Sequence, residues 1–333
     1  MSSAEDHSGS QVVSEIRTHL GKTRLSVTTL KQKADTSERL GKYDLSKYKL
    51  TPKDFLFDES LNRLIPSGIP DYIDRGEQYL ARIARALFHF KQCALIGPSG
   101  TGKTHIVYLL AEIMNIPLWE VNCGLQTSAY DLFGRFIGLG RENWVDGQIV
   151  AWARNGGILY LDEANMMRQD VAARLNPILD TRGHLVLTEK DNEVVERDRL
   201  SYCIISMNPA SAEFSGAKPL NAAFRRRMSV WVDFDYLSVA PNISKDEIEL
   251  VQKRSKVEYD TVVNMIKVAA ELRRQYKQGD LPYGPSVGDL LNWATLVADN
   301  TPPIEAAEET IVAMTSDLPE VQESVKRVLK MVF

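Results

Sequence analysis

The chain has 333 residues and a mass of 37.4 kDa, with 44% apolar and 25% charged residues, enough for two domains or one large domain with an extension. Forty Lys and Arg against 44 Asp and Glu give a net charge of −4 and a pI near 5.8, which argues against a polycation built to coat nucleic acid. Three cysteines (Cys93, Cys123, Cys203) are too few for a disulfide framework, and there is neither an apolar stretch of about 18 residues nor a hydrophobic signal core, so a soluble cytoplasmic protein with inert core thiols is expected.

Residues 1–53 hold ten Lys and Arg, six Asp and Glu, and no Trp or Phe. A segment this polar buries too little apolar area to offset its ordering entropy, so a mobile or weakly helical arm is expected, a solvated tail or a docking arm for a partner. Over residues 75–90, Leu80, Ile83 and Leu87 recur at helical spacing. Short apolar runs then alternate with helical stretches: CALI at 93–96, LWEV at 118–121, ILYL at 158–161, CIIS at 203–206 and VWVDF at 230–234. Such runs are expected of parallel strands covered by helices on both faces, a doubly wound α/β layer over about 54–238. After Tyr236 the strand signals stop. Ser244 to Glu247 reads as a capping box that opens a helix, and further helices are expected near 258–278, 286–299, 303–314 and 318–332. The last would bury Val321, Val325, Val328 and Leu329, so a smaller all-helical domain is expected over 239–333.

The chemistry concentrates where strands end. Gly97, Pro98, Ser99, Gly100, Thr101, Gly102, Lys103 and Thr104 fit G-x-x-x-x-G-K-[ST] between a strand and a helix. Glycines let successive N–H groups ring anionic phosphates, and the helix that follows presents its positive end to the same charge. Lys103 would reach the β- and γ-phosphates, and Thr104 would offer a hydroxyl to Mg²⁺. Asp162 and Glu163 close the strand ILYL beside those phosphates: Asp162 fits a carboxylate holding Mg²⁺ through water, Glu163 a general base toward the attacking water. Asn208 ends another buried strand, where a neutral amide can orient a water or meet the γ-phosphate. Arg225, Arg226 and Arg227 are adjacent, and one guanidinium reaching the γ-phosphate across a subunit boundary would act as an arginine finger.

Taken together, GPSGTGKT at 97–104, LYLDEAN at 159–165, SMNP at 206–209 and AFRRRM at 223–228 resemble the AAA+ ATPases. Within them the chain looks like the MoxR-type group with an insert in the second helix, and most like the CbbQ/NorQ branch, over roughly residues 70–240. The insert corresponds to about 132–148, and a hairpin before the sensor strand to about 185–196 with its turn at Asp191 and Asn192. The resemblance implies a parallel five-stranded sheet with a helical lid, and a ring, usually of six subunits, that hydrolyses ATP with Mg²⁺ at subunit interfaces. It implies that Asn208 is sensor 1 and that Arg227 takes the place of the family's terminal arginine, with Arg225 or Arg226 as the alternative finger. It further implies a protein target that the ring remodels or activates, often with a von Willebrand A-domain partner, and sometimes assistance to cofactor or metal insertion.

Two features depart from that pattern. Gly288 stands where the lid's sensor 2 arginine is expected, so either that contact is missing or Arg273 or Arg274 reaches in from the preceding helix. Met228 replaces the usual aromatic. The insert, with Phe136, Ile137 and Trp144, would either grip a substrate at the ring's face or pore or pack Trp144 on its own domain. Tyr72 and Ile73 are candidates to pack on the base, and ATP against GTP stays open because no base-reading motif is legible. A DNA-acting motor or a restriction-type NTPase subunit is the competing enzymatic reading, opposed by the acidic pI and the lack of an aromatic and basic stripe. A nucleotide-gated scaffold with little turnover is the non-enzymatic one. No membrane association is expected.

Overall fold

The computed structural model describes residues 38–52, 55–74, 76–138, 143–208 and 220–333. The expected arm over 1–37, the tip of the insert at 139–142, and Pro209 of the SMNP stretch lie outside the described residues.

The five apolar runs form the strands β1 (Gln92–Ile96), β2 (Leu118–Asn122), β5 (Gly157–Asp162), β8 (Ser201–Met207) and β9 (Trp231–Asp233). They pair in parallel in the order β2-β5-β8-β1-β9. Along β8 the two-residue period sends Cys203, Ile205 and Met207 into one core cluster, and Tyr202 and Ile204 into the other. Burial on both faces is why these strands read as continuous apolar runs rather than alternating ones. Two hairpins stand apart: β3 (Gly134–Phe136) with β4 (Trp144–Asp146), and β6 (His184–Leu187) with β7 (Glu193–Glu196). In the second, Asp191 and Asn192 both adopt left-handed backbone, φ 51° and 61°.

Helix α1 (Tyr79–Phe90) buries Leu80, Ile83 and Leu87. It starts at Tyr79 rather than at residue 75 because the Asp74 carboxylate accepts from the N–H groups of Gln78 and Tyr79. After α2 (Lys103–Met114) come α3 (Ala129–Phe133), α4 (Gln148–Asn155), α5 (Gln169–Leu179) and the short α6 (Ala222–Arg225).

The expectation of a mobile arm up to residue 53 fails over its last part. Leu45 and Leu50 are buried in the core cluster under α1, and the Tyr202 hydroxyl donates to Leu50 O. Arg39 donates to Glu112 Oε2 at 2.9 Å and to Ile69 O at 2.7 Å. Two leucines and one anchored arginine hold a stretch whose average composition is polar.

Beyond β9 the chain is helical: α7 (Lys245–Ser255), α8 (Tyr259–Gln278), α9 (Val287–Ala298), α10 (Pro303–Ala307) and α11 (Pro319–Val332). A π turn over Glu308–Val312 carries α10 on to Thr315. These helices enclose a third apolar cluster around Trp293, Met265 and Leu329, while Val321 is only half-buried. The capping box at Ser244 is a correction: its side chain caps nothing, and Glu247 is fully buried against Arg273. The lid's reciprocal box lies instead at Ser286 and Asp289, at the start of α9.

Candidate nucleotide site

Parallel register brings the ends of three strands to one edge. Ile96 of β1 lies beside Met207 of β8, and Leu161 of β5 beside Ile205, so Gly97, Asn208 and the pair Asp162–Glu163 follow on the same side of the sheet. The loop 97–102 runs into α2, whose first turn carries Lys103 and Thr104. Gly100 has φ +71°, and a Cβ there would lie 2.1 Å from Ser286 Cβ; Gly102 has φ +86°, and its Cβ would meet Tyr72 Cε2 at 2.8 Å. Glycine is therefore required twice over, by backbone conformation and by the closeness of the lid and of Tyr72. The Tyr72 hydroxyl donates to Thr101 O at 3.2 Å, which sets its ring against the loop; Ile73 is half-buried beside it in sequence.

Lys103 is buried, its Nζ donating to Gly97 O and Pro98 O, both at 2.7 Å, and to Asn208 Oδ1 at 3.1 Å. Burial pushes its ammonium down to about 8, although Asp162 and Glu163 pull the other way. The Thr104 hydroxyl lies 3.4 Å from Asp162 Oδ2 and 3.1 Å from the Tyr160 hydroxyl. Asp162 Oδ1 accepts from Tyr160 Oη at 2.9 Å, from the Glu163 N–H at 3.1 Å, and from Ser206 Oγ. Ser206 Oγ in turn accepts from the Glu163 N–H at 3.2 Å. Glu163 itself sits in left-handed backbone, φ 52°, at the end of β5, with its side chain exposed.

Sequence reasoning missed two members of this cluster. Tyr160 belongs to the apolar run of β5 and is 0% exposed, yet its hydroxyl bridges Thr104 and Asp162. Burial drives the phenol well above its ordinary value. Ser206 is likewise 0% exposed and clamps Asp162. A polar atom inside an otherwise apolar strand was the available signal in both cases, since buried hydroxyls take partners.

The arginines separate. Arg227 donates through Nε to Asn176 O at 2.9 Å, through Nη1 to Ala223 O at 2.7 Å, and through Nη2 to Asp180 Oδ2 at 3.2 Å. Those contacts hold it half-buried in its own chain. The Arg225 guanidinium lies over the Trp231 ring at 4.2 Å, and Arg226 is exposed. Neither substitute suggested for sensor 2 is free. Arg273 is wholly buried, donating to Pro285 O, Ser238 O and both Glu247 oxygens, while Arg274 pairs with Glu271 on its own helix. Gly288 lies exposed in the first turn of α9. Trp144 of the insert packs on its own domain: its Nε1 donates to Asp146 Oδ1 at 2.7 Å, and Phe136 meets it edge-on at 5.1 Å. Phe136 and Ile137 remain exposed. All three cysteines are buried free thiols; burial pushes Cys123 and Cys203 up to about 12 and Cys93 further.

The model of the AAA domain (dynein-related subfamily) matches residues 92–228, and that of the CbbQ/NirQ/NorQ C-terminal region matches 247–332. Protein CbbQ of Hydrogenophilus thermoluteolus is 31% identical over 271 residues, covering 79% of this chain and 97% of the relative. The chain belongs to the CbbQ/NirQ/NorQ family of AAA+ ATPases.

A second relative of the same group, the denitrification regulatory protein NirQ of Stutzerimonas stutzeri, is 32% identical, covering 67% of this chain and 78% of its own length. Among solved structures, Brucella abortus NtrX in complex with ATP aligns with a TM-score of 0.50 at 16% identity, over 94% of this chain and 67% of that one, a likeness of fold. Membership in the MoxR-type CbbQ/NorQ branch makes the chain a P-loop ATPase with an α/β nucleotide-binding layer and a helical lid. Among the described residues no helix is long and apolar enough to cross a membrane.

Proposed function

We propose that the chain hydrolyses Mg²⁺-ATP at the edge formed by β1, β5 and β8, in a ring of like subunits, usually six in this group, and uses the cycle to remodel or activate a protein target. The observation that carries this reading is the convergence of two hydrogen-bonded pairs at one sheet edge, Lys103 with Asn208 and Thr104 with Asp162, with the exposed Glu163 next to Asp162. Lys103, freed from Gly97 O and Pro98 O, would meet the β- and γ-phosphates of ATP, with the N–H groups of 97–102 ringing them.

The donor set suits Mg²⁺. Thr104 and Asp162 are hard oxygen donors, and among the described residues no cluster of three or more His, Cys, Asp or Glu competes for a metal. Bound there, Mg²⁺ would neutralise charge on the phosphates. Asp162 would hold it through water and is itself held by Tyr160 and Ser206. Glu163 would polarise the attacking water, and Asn208 would orient it or the γ-phosphate. One of Arg225, Arg226 and Arg227 would complete a neighbour's site. Arg227, the residue in motif register, keeps two of its five N–H groups after its three internal contacts.

The relative NirQ is named a denitrification regulatory protein, which supports a regulatory role for this chain as well. A von Willebrand A-domain protein is the proposed adaptor, and nucleic acid is not a proposed partner. The test is turnover across a protein concentration series, together with a Glu163→Gln variant. Specific activity should rise with assembly. Glu163→Gln should keep ATP binding, lose about 10²-fold or more in turnover, and retain target proteins in a pull-down with ATP. Activity that stays flat with concentration and unaltered in Glu163→Gln would overturn the proposal.

A further inference from the structure

At the opposite end of β8 from the nucleotide edge lies a cleft, open to solvent on one side, of about 340 Å³, large enough for a small ligand. Its charged wall carries four cations, Lys91, Arg182, Arg197 and Arg199, against two carboxylates, Asp198 and Glu196. The carboxylates offset these cations only in part: Asp198 attracts Lys91, and Asp180, outside the cavity wall, attracts Arg197. Asp198 Oδ1 accepts from the Leu200 N–H at 2.7 Å, capping its own turn, and Glu196 is exposed on β7. Arg182 is already paired, in fork fashion, with Asp180.

Arg197 and Lys91 are the unusual pair. Both are half-buried, and among the described residues neither has a carboxylate oxygen within 4 Å of its charged nitrogens. Lys91 Nζ donates to Arg199 O at 3.0 Å and lies over the Tyr202 ring at 4.6 Å, which orients it without cancelling its charge. Burial, and then the charge of Arg197, hold the Lys91 ammonium below its ordinary value against the pull of Asp198, and burial lowers Arg197 against the pull of Cys203 and Asp180. Two like charges taken partly out of water beside each other cost stability, and a fold keeps such an arrangement when something of opposite charge repays it.

The geometry points to a second ligand site here, separate from the nucleotide edge, that takes a small phosphoryl oxyanion between Arg197 and Lys91, either as free phosphate or on a small phosphomonoester. Arg197 offers a planar fork matched to two oxygens and Lys91 a point charge, the two cation types that suit a phosphoryl group. The cavity opens beside Ser201, the first residue of β8, and the same strand leads to Ser206 and then Asn208, about 20 Å away.

Thermal unfolding of the full chain saturated with ADP, so that the phosphate loop is filled, tests this. Inorganic phosphate should raise Tm by about 2 °C at ten times its Kd, and NaCl at matched ionic strength should not. Arg197→Met should do two things together: raise Tm in phosphate-free, low-salt buffer by relieving the repulsion, and abolish the phosphate response while the ADP response persists. Lys91→Met supplies the same test should the first variant fold poorly. A response to glycerol 3-phosphate below the phosphate concentration assigns the site to a phosphomonoester; a response to phosphate alone assigns it to the free ion. An equal shift with chloride, or a full phosphate response in both variants, overturns the site.

Discussion

Arg273→Met exposes how the lid is held. The Arg273 guanidinium donates to Glu247 Oε1 at 2.9 Å and Oε2 at 3.0 Å, to Pro285 O at 2.6 Å and to Ser238 O at 3.0 Å, and both charged side chains are 0% exposed. One residue thereby joins α8 to α7, to the connection after β9, and to the turn before α9. Removing it leaves a buried carboxylate without a counter-charge and two carbonyls without their donor, which costs about 3–5 kcal/mol. Glu247→Met leaves the reciprocal orphan and should cost a similar amount. The double variant buries two apolar chains of similar volume in their place, so its cost should fall well below the sum, with a coupling of about 2 kcal/mol or more. Amide hydrogen exchange in α7, α8 and α9 across a urea series reads this locally, and the same samples titrated with ADP read the consequence for the site. Pro285 precedes Ser286, which abuts Gly100, so ADP affinity should fall in Arg273→Met as well. Single-variant costs that simply add in the double variant would refute the account.

Three further outcomes follow from the site. Lys103 titrates near 8 in the free protein, and phosphates favour its charged form, so nucleotide binding raises its pKa and takes up about half a proton at pH 8. Affinity then falls as pH rises through about 8; calorimetry in buffers of different ionisation enthalpy checks this, and buffer-independent heats would contradict it. Tyr160→Phe removes the hydroxyl bridging Thr104 and Asp162, and should raise the Mg²⁺ concentration needed for tight nucleotide binding while metal-free ADP affinity stays unchanged. Gly100→Ala places a Cβ 2.1 Å from Ser286 Cβ at φ +71°; it should destabilise the protein by about 1–3 kcal/mol and weaken nucleotide binding, read by Tm and by titration.

Legibility in the sequence tracked contiguity. GPSGTGKT is one unbroken stretch whose glycines, lysine and threonine serve one loop, and β1, β5 and β8 each run directly into the residues that carry the chemistry. The misreadings have a common cause. Ser244 and Glu247 have the spacing of a capping box, but Glu247 finds a buried arginine 26 residues on, which outweighs a local cap. Leu45 and Leu50 look incidental inside a polar stretch until the groove under α1 is formed around them. Arg273 and Arg274, adjacent in sequence, face different surroundings, and only the packing of three helices fixes which one is buried.

By itself the sequence determined the parallel strand layer, the phosphate loop, the acidic pair and the helical lid, because hydrophobic period and loop chemistry act over a few neighbouring residues. Tertiary structure alone decided that Tyr160 and Ser206 hold Asp162, that Arg273 locks the lid, that Arg227 is anchored to Asp180, and that Lys91 and Arg197 line one cavity. Each of these joins residues brought together by strand register or helix packing, so no local pattern in the chain encodes it.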